Sequence, residues 1–169
     1  VTLPKSEFIE NAHFNTICTR VQFKAGKIPG EQCPAGSVYG HAKATTPILA
    51  EPLEGPIFLR SSEHQLPDVV AALHNSQVNI VLDGHVDSVK GRLRSTFEST
   101  PDAPVSSAVF NFLGGKKGLF VNSTNLCKGK HKAEASFTGQ NGKKHEFKPV
   151  MQAKCPKGGN KRRAPRASR

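Results

Sequence analysis

Tryptophan is absent from this 169-residue chain, and tyrosine and methionine occur once each, so ten phenylalanines supply nearly all the aromatic bulk. No apolar run approaches the about 20 residues of a membrane-spanning helix, and no charged-apolar-small succession marks a signal peptide. The chain opens on Val1 rather than methionine, which reads as a fragment or a processed form. Catalytic signatures are also missing. There is no H-E-x-x-H among the seven histidines, and Ser37 in "AGSVYG" lacks the glycine that precedes a nucleophile elbow by two positions. With thirteen acidic residues and none singled out by its setting, no carboxylate pair identifies glycoside hydrolysis. The chain is not expected to be an enzyme.

A phosphate-binding loop fails on the same ground. "NFLGGKKGLFVN" carries Gly114, Gly115 and Gly118 with Lys116 and Lys117, but Leu119-Phe120-Val121 follows where Lys-Ser/Thr and a helix are required. That triplet favours extended structure. The stretch is expected to be a β-hairpin, "APVSSAVFNFLGG" against "KGLFVNS", with Lys116 and Lys117 at its wet tip.

What is present is punctuation. Proline and glycine together number 27 and fall at short intervals, which suits many short strands better than long helices. Period-two patterning dominates. "HFNTICTRVQF" reads as a strand with Ile17, Val21 and Phe23 inward, and "GSVYGHAKATTPIL" as another ended by Pro47. "GPIFLRSS" reads as a short strand after a Pro-Leu-Glu-Gly-Pro turn. In "LPDVVAALH", Leu66, Val69, Val70 and Leu73 fall at helical spacing with Pro67 near the start, so this segment is expected to be a short helix, with a kinked strand as the other possibility. "VNIVLDGHVDSVKGRLRSTF" is a hairpin turning at Lys90-Gly91, with Ile80, Leu82 and Val86 on one face. "KAEASFTGQNGKKHEFKPVMQAKC" is a last hairpin about Asn141-Gly142. The fold class is all-β, an antiparallel sandwich of hairpins with at most one short helix.

Four cysteines stand at Cys18, Cys33, Cys127 and Cys155, with no C-x-x-C spacing for zinc or thiol redox chemistry. Three pairings are open; the local one, Cys18–Cys33 with Cys127–Cys155, ties neighbouring segments most economically. Disulfides point to an extracellular or cell-surface location.

The net charge is +11, and it is uneven. Residues 156–169 carry Lys157, Lys161, Arg162, Arg163, Arg166 and Arg169 with no acid and no large apolar side chain, leaving +5 for residues 1–155. Such a tail has nothing to bury against the entropy of ordering it, so residues 1–155 are expected to form the domain, possible sub-units meeting near 100–105, and 156–169 a disordered tail. Together with Lys116 and Lys117 the tail is a candidate polyanion-binding surface. Asn122-Ser123-Thr124 matches a glycosylation acceptor.

One constellation has ligand-type atoms at strand spacing: Asp83, His85 and Asp87 project from one face. The return strand brings Arg92, Arg94 and Thr96 to that face, and cross-strand Asp–Arg pairs, each worth a few tenths to about 1 kcal/mol, account for the carboxylates. No metal and no other cofactor is expected.

The segments "CTRVQF", "EQCPAGSVYGHAKATTPILAEPLEGPIFLRSS", "DGHVDSVKGRLRSTFESTPDAPVSSAVFNFLGGKKGLFVNSTNLC" and "FTGQNGKKHEFKPVMQAKC" resemble the C-terminal portions of large, uncharacterised secreted β-rich proteins of Actinobacteria. The resemblance covers roughly residues 14–155. It implies an extracellular, disulfide-bearing β-protein whose basic tail ends a longer chain, and it carries over no catalytic residue. The functional expectation is a structural or adhesive surface module, able to associate with itself or with a cell-wall polymer. The alternative is a module binding acidic glycan or nucleic acid through the basic tail and the Lys116-Lys117 tip.

Overall fold

A computed structural model describes residues 1–98, 100 and 103–155. The basic tail, with Lys157, Lys161, Arg162, Arg163, Arg166 and Arg169, lies outside the described residues. Ten strands and one α-helix follow in chain order: β1 (Glu7–Ile9), α1 (Arg20–Lys24), β2 (Val38–Thr45), β3 (Leu53–Arg60), β4 (Asp68–His74), β5 (Asn79–Val89), β6 (Arg92–Phe97), β7 (Ser107–Phe112), β8 (Phe120–Asn122), β9 (Ala135–Thr138) and β10 (Lys144–Phe147). The architecture is all-β and antiparallel, with one short helix.

Six strands form one sheet in the order β6-β5-β4-β3-β2-β7. Strands β2 to β6 are an up-and-down meander, and β7 returns to pair with the free side of β2. The segments before and after residues 100–105 therefore belong to one sheet. That sheet curls until its two edge strands approach, with the Phe97 and Phe110 rings 6.0 Å apart. A second layer, the β1–β8 ribbon, closes the concave side, and Phe120 of β8 meets Phe112 of β7 edge-on at 5.1 Å. The far edge of β6 is capped by the N-terminal residues, where Thr2 bridges both Arg94 and Glu134.

The core fills the concave side with Tyr39, Leu53, Ile57, Leu59, Val69, Leu73, Val86 and Leu119. Buried Tyr39 keeps its hydroxyl satisfied by donating to the His13 carbonyl at 2.8 Å. The convex face has a smaller cluster, in which Cys18, Phe23, Phe58, Val70 and Ala72 pack beneath the segment running from Cys18 to Cys33. Both disulfides are formed, Cys18–Cys33 and Cys127–Cys155, and no free cysteine remains.

Four local expectations are corrected. "HFNTICTRVQF" is not a strand: Cys18 makes only an isolated bridge to Arg60, and helix α1 begins after it. Thr19 caps that helix by accepting the Gln22 N–H while the Gln22 side chain accepts the Thr19 N–H, a capping box that overrides the period-two pattern. Phe23 is buried, but Val21 points to solvent.

"LPDVVAALH" is strand β4, not a helix. Its apolar run is continuous because both faces are covered, Val69, Ala71 and Leu73 by the concave core and Val70 and Ala72 by the Cys18–Cys33 segment. Next, the Pro-Leu-Glu-Gly-Pro stretch lies largely inside β3, which begins at Leu53. Gly55 is required there, since a Cβ on it would sit 1.8 Å from the Ala72 carbonyl oxygen of β4. Finally, β7 and β8 do not pair with each other; β7 joins β2 and β8 joins β1. Lys116 and Lys117 consequently sit on an exposed 3₁₀ turn, Gly115–Lys117, rather than at a hairpin tip.

The two remaining hairpins follow their turn chemistry. Val89 faces Arg92 across Lys90 and Gly91, whose φ angles of 53° and 70° match the twist of the flanking strands. Gly142 at φ 75° turns β9 into β10, with Asn141 Oδ1 accepting the Lys143 N–H.

Candidate functional site

The richest polar cluster lies on the convex face, where β3, β4 and β5 run side by side. Register assembles it. Arg60 at the end of β3 is paired with Asp68 at the start of β4, so both side chains leave the same face. The β4–β5 register pairs Val69 with Gly84 and Val70 with Asp83, which carries Asp83 and His85 onto that face beside them. The connecting residues 61–67 fold back over the strands. Ser62 Oγ accepts the His64 N–H at 3.3 Å and lies 2.6 Å from the Leu66 carbonyl, a local turn that sets His64 above Asp68.

The contacts form one network. Arg60 Nη2 donates to Asp68 Oδ2 at 2.9 Å and to Asp83 Oδ2 at 2.6 Å. The side chains of Arg60 and Asp68 are only 10% and 6% exposed, whereas Asp83 is 44% exposed. The other oxygen of Asp68 meets His64 Nε2 at 2.8 Å and lies 3.9 Å from His85 Nδ1. The two imidazole rings are 3.9 Å apart, centroid to centroid. The Arg60 guanidinium also sits 5.5 Å from the centre of the Phe23 ring, and Arg60 Nε is buried without a hydrogen-bond partner among the described residues. An open groove of about 380 Å³ borders the cluster, lined by Phe23, Lys24, Pro29, Arg60, Val81 and Asp83.

Chemically, the network offers two imidazoles sharing one buried carboxylate. Among the described residues no hydroxyl bonds to either imidazole, so an Asp–His–Ser relay is not assembled here. Of the carboxylates on this face of β5, Asp87 pairs across to β6 as expected, whereas Asp83 turns the other way, toward β3. Asp83 goes to Arg60, and Asp87 takes a two-pronged contact from Arg94, Nε to Oδ1 at 3.0 Å and Nη2 to Oδ2 at 2.5 Å. His85 turns to His64 and Asp68. The hydrogen bond from Arg94 holds the Asp87 carboxyl below the usual carboxylate range. Arg92, which shares the face with Arg94, reaches instead to the Leu3 carbonyl and to Glu134. Arg60, His64 and Asp68 come together only through the β3–β4–β5 register and the loop over it, and a helix at residues 66–73 would take Asp68 away from β5.

A second surface is the edge strand β7. Leu113 N–H donates to the Tyr39 carbonyl, and the register pairs Asn111 with His41, Val109 with Lys43 and Ser107 with Thr45. By the alternation of an antiparallel ladder, the N–H and C=O groups of Ala108, Phe110 and Phe112 then point away from β2. Among the described residues no backbone group pairs with them. From Ala103 to Gly115 the chain carries no charge, and Val109 is 48% exposed.

Comparison of the chain with protein-family models, with curated proteins and with solved structures returns no match.

Proposed function

We propose that this chain is an extracellular structural module that associates with copies of itself by strand-to-strand pairing at β7. The observation that carries the reading is the row of outward N–H and C=O groups on β7, which has no backbone partner among the described residues. Edge strands of monomeric proteins are normally blunted by charge, proline or a covering segment, because an open row of N–H and C=O groups templates further pairing. Between Val105 and Leu113 the chain has none of the first two. On a chain of net charge +11, an uncharged edge is also where two copies approach with least repulsion. A two-fold axis beside β7 lets the same strand serve both partners, the arrangement of a self-complementary interface. The two disulfides support an oxidising location outside the cell, and no helix among the described residues is long and apolar enough to cross a membrane.

Sedimentation velocity across a hundredfold range of protein concentration tests the reading. Association should appear and survive a rise in salt. It should be lost in Ala108→Pro, which removes an outward N–H without touching the ladder to β2, and in Val109→Lys, which charges the edge. A monomer at every concentration contradicts it.

A second reading rests on Lys116 and Lys117, which are exposed and have no carboxylate partner among the described residues. Acidic glycan or nucleic acid binding at this turn predicts retention on heparin that falls steeply with salt and falls further in Lys116→Gln with Lys117→Gln.

A further inference from the structure

We propose that His64, Asp68 and His85 bind one divalent transition-metal ion of the zinc class. The ligand atoms of these three side chains all lie within 4.8 Å of one another. His64 Nε2 and His85 Nδ1 stand 2.8 and 3.9 Å from the same carboxylate oxygen. Ligands about 2.0–2.1 Å from a tetrahedral ion lie about 3.3 Å from each other, so one short and one long separation need only small rotations of two partly exposed rings.

The donor set selects the ion. Two imidazole nitrogens and one carboxylate oxygen suit zinc, nickel or copper, whereas calcium requires six or more oxygens. The surroundings hold the carboxylate still: Arg60 grips the other oxygen of Asp68 at 2.9 Å, the kind of outer-shell bond that orients a metal ligand. Arg60 does not leave the site cationic, because Asp83 also contacts it at 2.6 Å. With neutral imidazoles, Arg60, Asp68 and Asp83 sum to one negative charge, which favours a dication. The His64 and His85 side chains are 29% and 44% exposed, so the fourth position opens to solvent and water completes the shell. The ion would also clamp residues 61–67 to β4 and β5. Asp83 and Asp87, which share the β5 face with His85, are held by arginines and stay outside the donor set. The inference stands apart from the pairing proposed for β7, and neither depends on the other.

Titration of metal-stripped, disulfide-intact protein with zinc against a chromophoric indicator tests it. No thiol competes, since all four cysteines are bonded. One zinc per chain with a micromolar or tighter dissociation constant is expected, with a melting temperature raised by saturating zinc. His64→Gln and His85→Gln should each weaken binding tenfold or more, while His74→Gln, an exposed histidine at the far end of β4, should leave it unchanged. Should a variant unfold, cobalt substitution in the parent protein decides: visible bands of a low-symmetry site with nitrogen ligands support the site, and the spectrum of hydrated cobalt overturns it. Zinc binding that is not saturable, or that is equal in parent and both variants, also overturns it.

Discussion

Removing the carboxylate of Asp68 should be among the most damaging single changes in the convex cluster. Asp68→Ala leaves the Arg60 guanidinium, 10% exposed, with Asp83 as its one anionic partner among the described residues, and strips the His64 imidazole of its hydrogen bond to Asp68. Breaking a buried ion pair by deleting one member costs about 3–5 kcal/mol, because the remaining charge cannot be resolvated. Since Asp83 still touches Arg60, the lower end of that range applies. With a urea dependence of about 2 kcal/mol/M for a domain of this size, a loss of about 3 kcal/mol lowers the unfolding midpoint by about 1.5 M. Asp83→Ala removes a half-exposed partner and should cost about 1 kcal/mol, a midpoint change of about 0.5 M. Urea unfolding followed by circular dichroism, disulfides intact, measures both. The double replacement Arg60→Met with Asp68→Leu should recover most of the loss, since apolar side chains of similar volume incur no desolvation of charge. Equal midpoints for Asp68→Ala and Asp83→Ala, or a double variant no more stable than Asp68→Ala, would refute the reasoning.

Replacing both Cys18 and Cys33 by alanine opens a loop of 15 residues and should cost about 3 kcal/mol; the Cys127–Cys155 pair, spanning 28, should cost about 3.6 kcal/mol, each read from denaturant midpoints. The Asp87–Arg94 pair should add only weakly to stability at neutral pH, being exposed to solvent screening. Because Arg94 depresses the Asp87 carboxyl in the folded state, that contribution is complete above the ordinary aspartate value near 3.9 and fades as pH falls through the lowered one. Stability curves of the parent protein and Arg94→Gln should therefore differ at pH 6 and converge in strong acid. Deleting residues 156–169 removes six positive charges, and should leave the melting temperature within a few degrees while flattening the salt dependence of any heparin binding.

The sequence was most legible where turn chemistry and alternation agreed. Lys90-Gly91 and Asn141-Gly142 mark their hairpins, and the face shared by Ile80, Leu82 and Val86 follows from period two. It misled where tertiary cover removed the alternation. The run from Val69 to Leu73 is apolar at every position because each face of β4 is buried, and helical spacing is then satisfied by accident. Thr19 and Gln22 carried a helix-start signal that a longer strand-like pattern hid. The pairing of β7 with β2 joins residues more than sixty apart, and no local feature of "SAVFNF" announces it. The cluster inherits these gaps. The shared face of Asp83, His85 and Asp87 was readable from β5 alone, but Arg60 and Asp68 reach it only through the β3–β4–β5 register.

Amide hydrogen exchange in β7, followed residue by residue at rising protein concentration, tests the proposed self-pairing most directly. The amides of Ser107, Val109 and Asn111 face β2 and should be protected at every concentration. Those of Ala108, Phe110 and Phe112 should exchange freely in dilute solution and become protected as copies pair, with Ala108→Pro abolishing the change at Phe110 and Phe112. Exchange at Ala108, Phe110 and Phe112 that stays fast and independent of concentration up to the solubility limit would contradict the account.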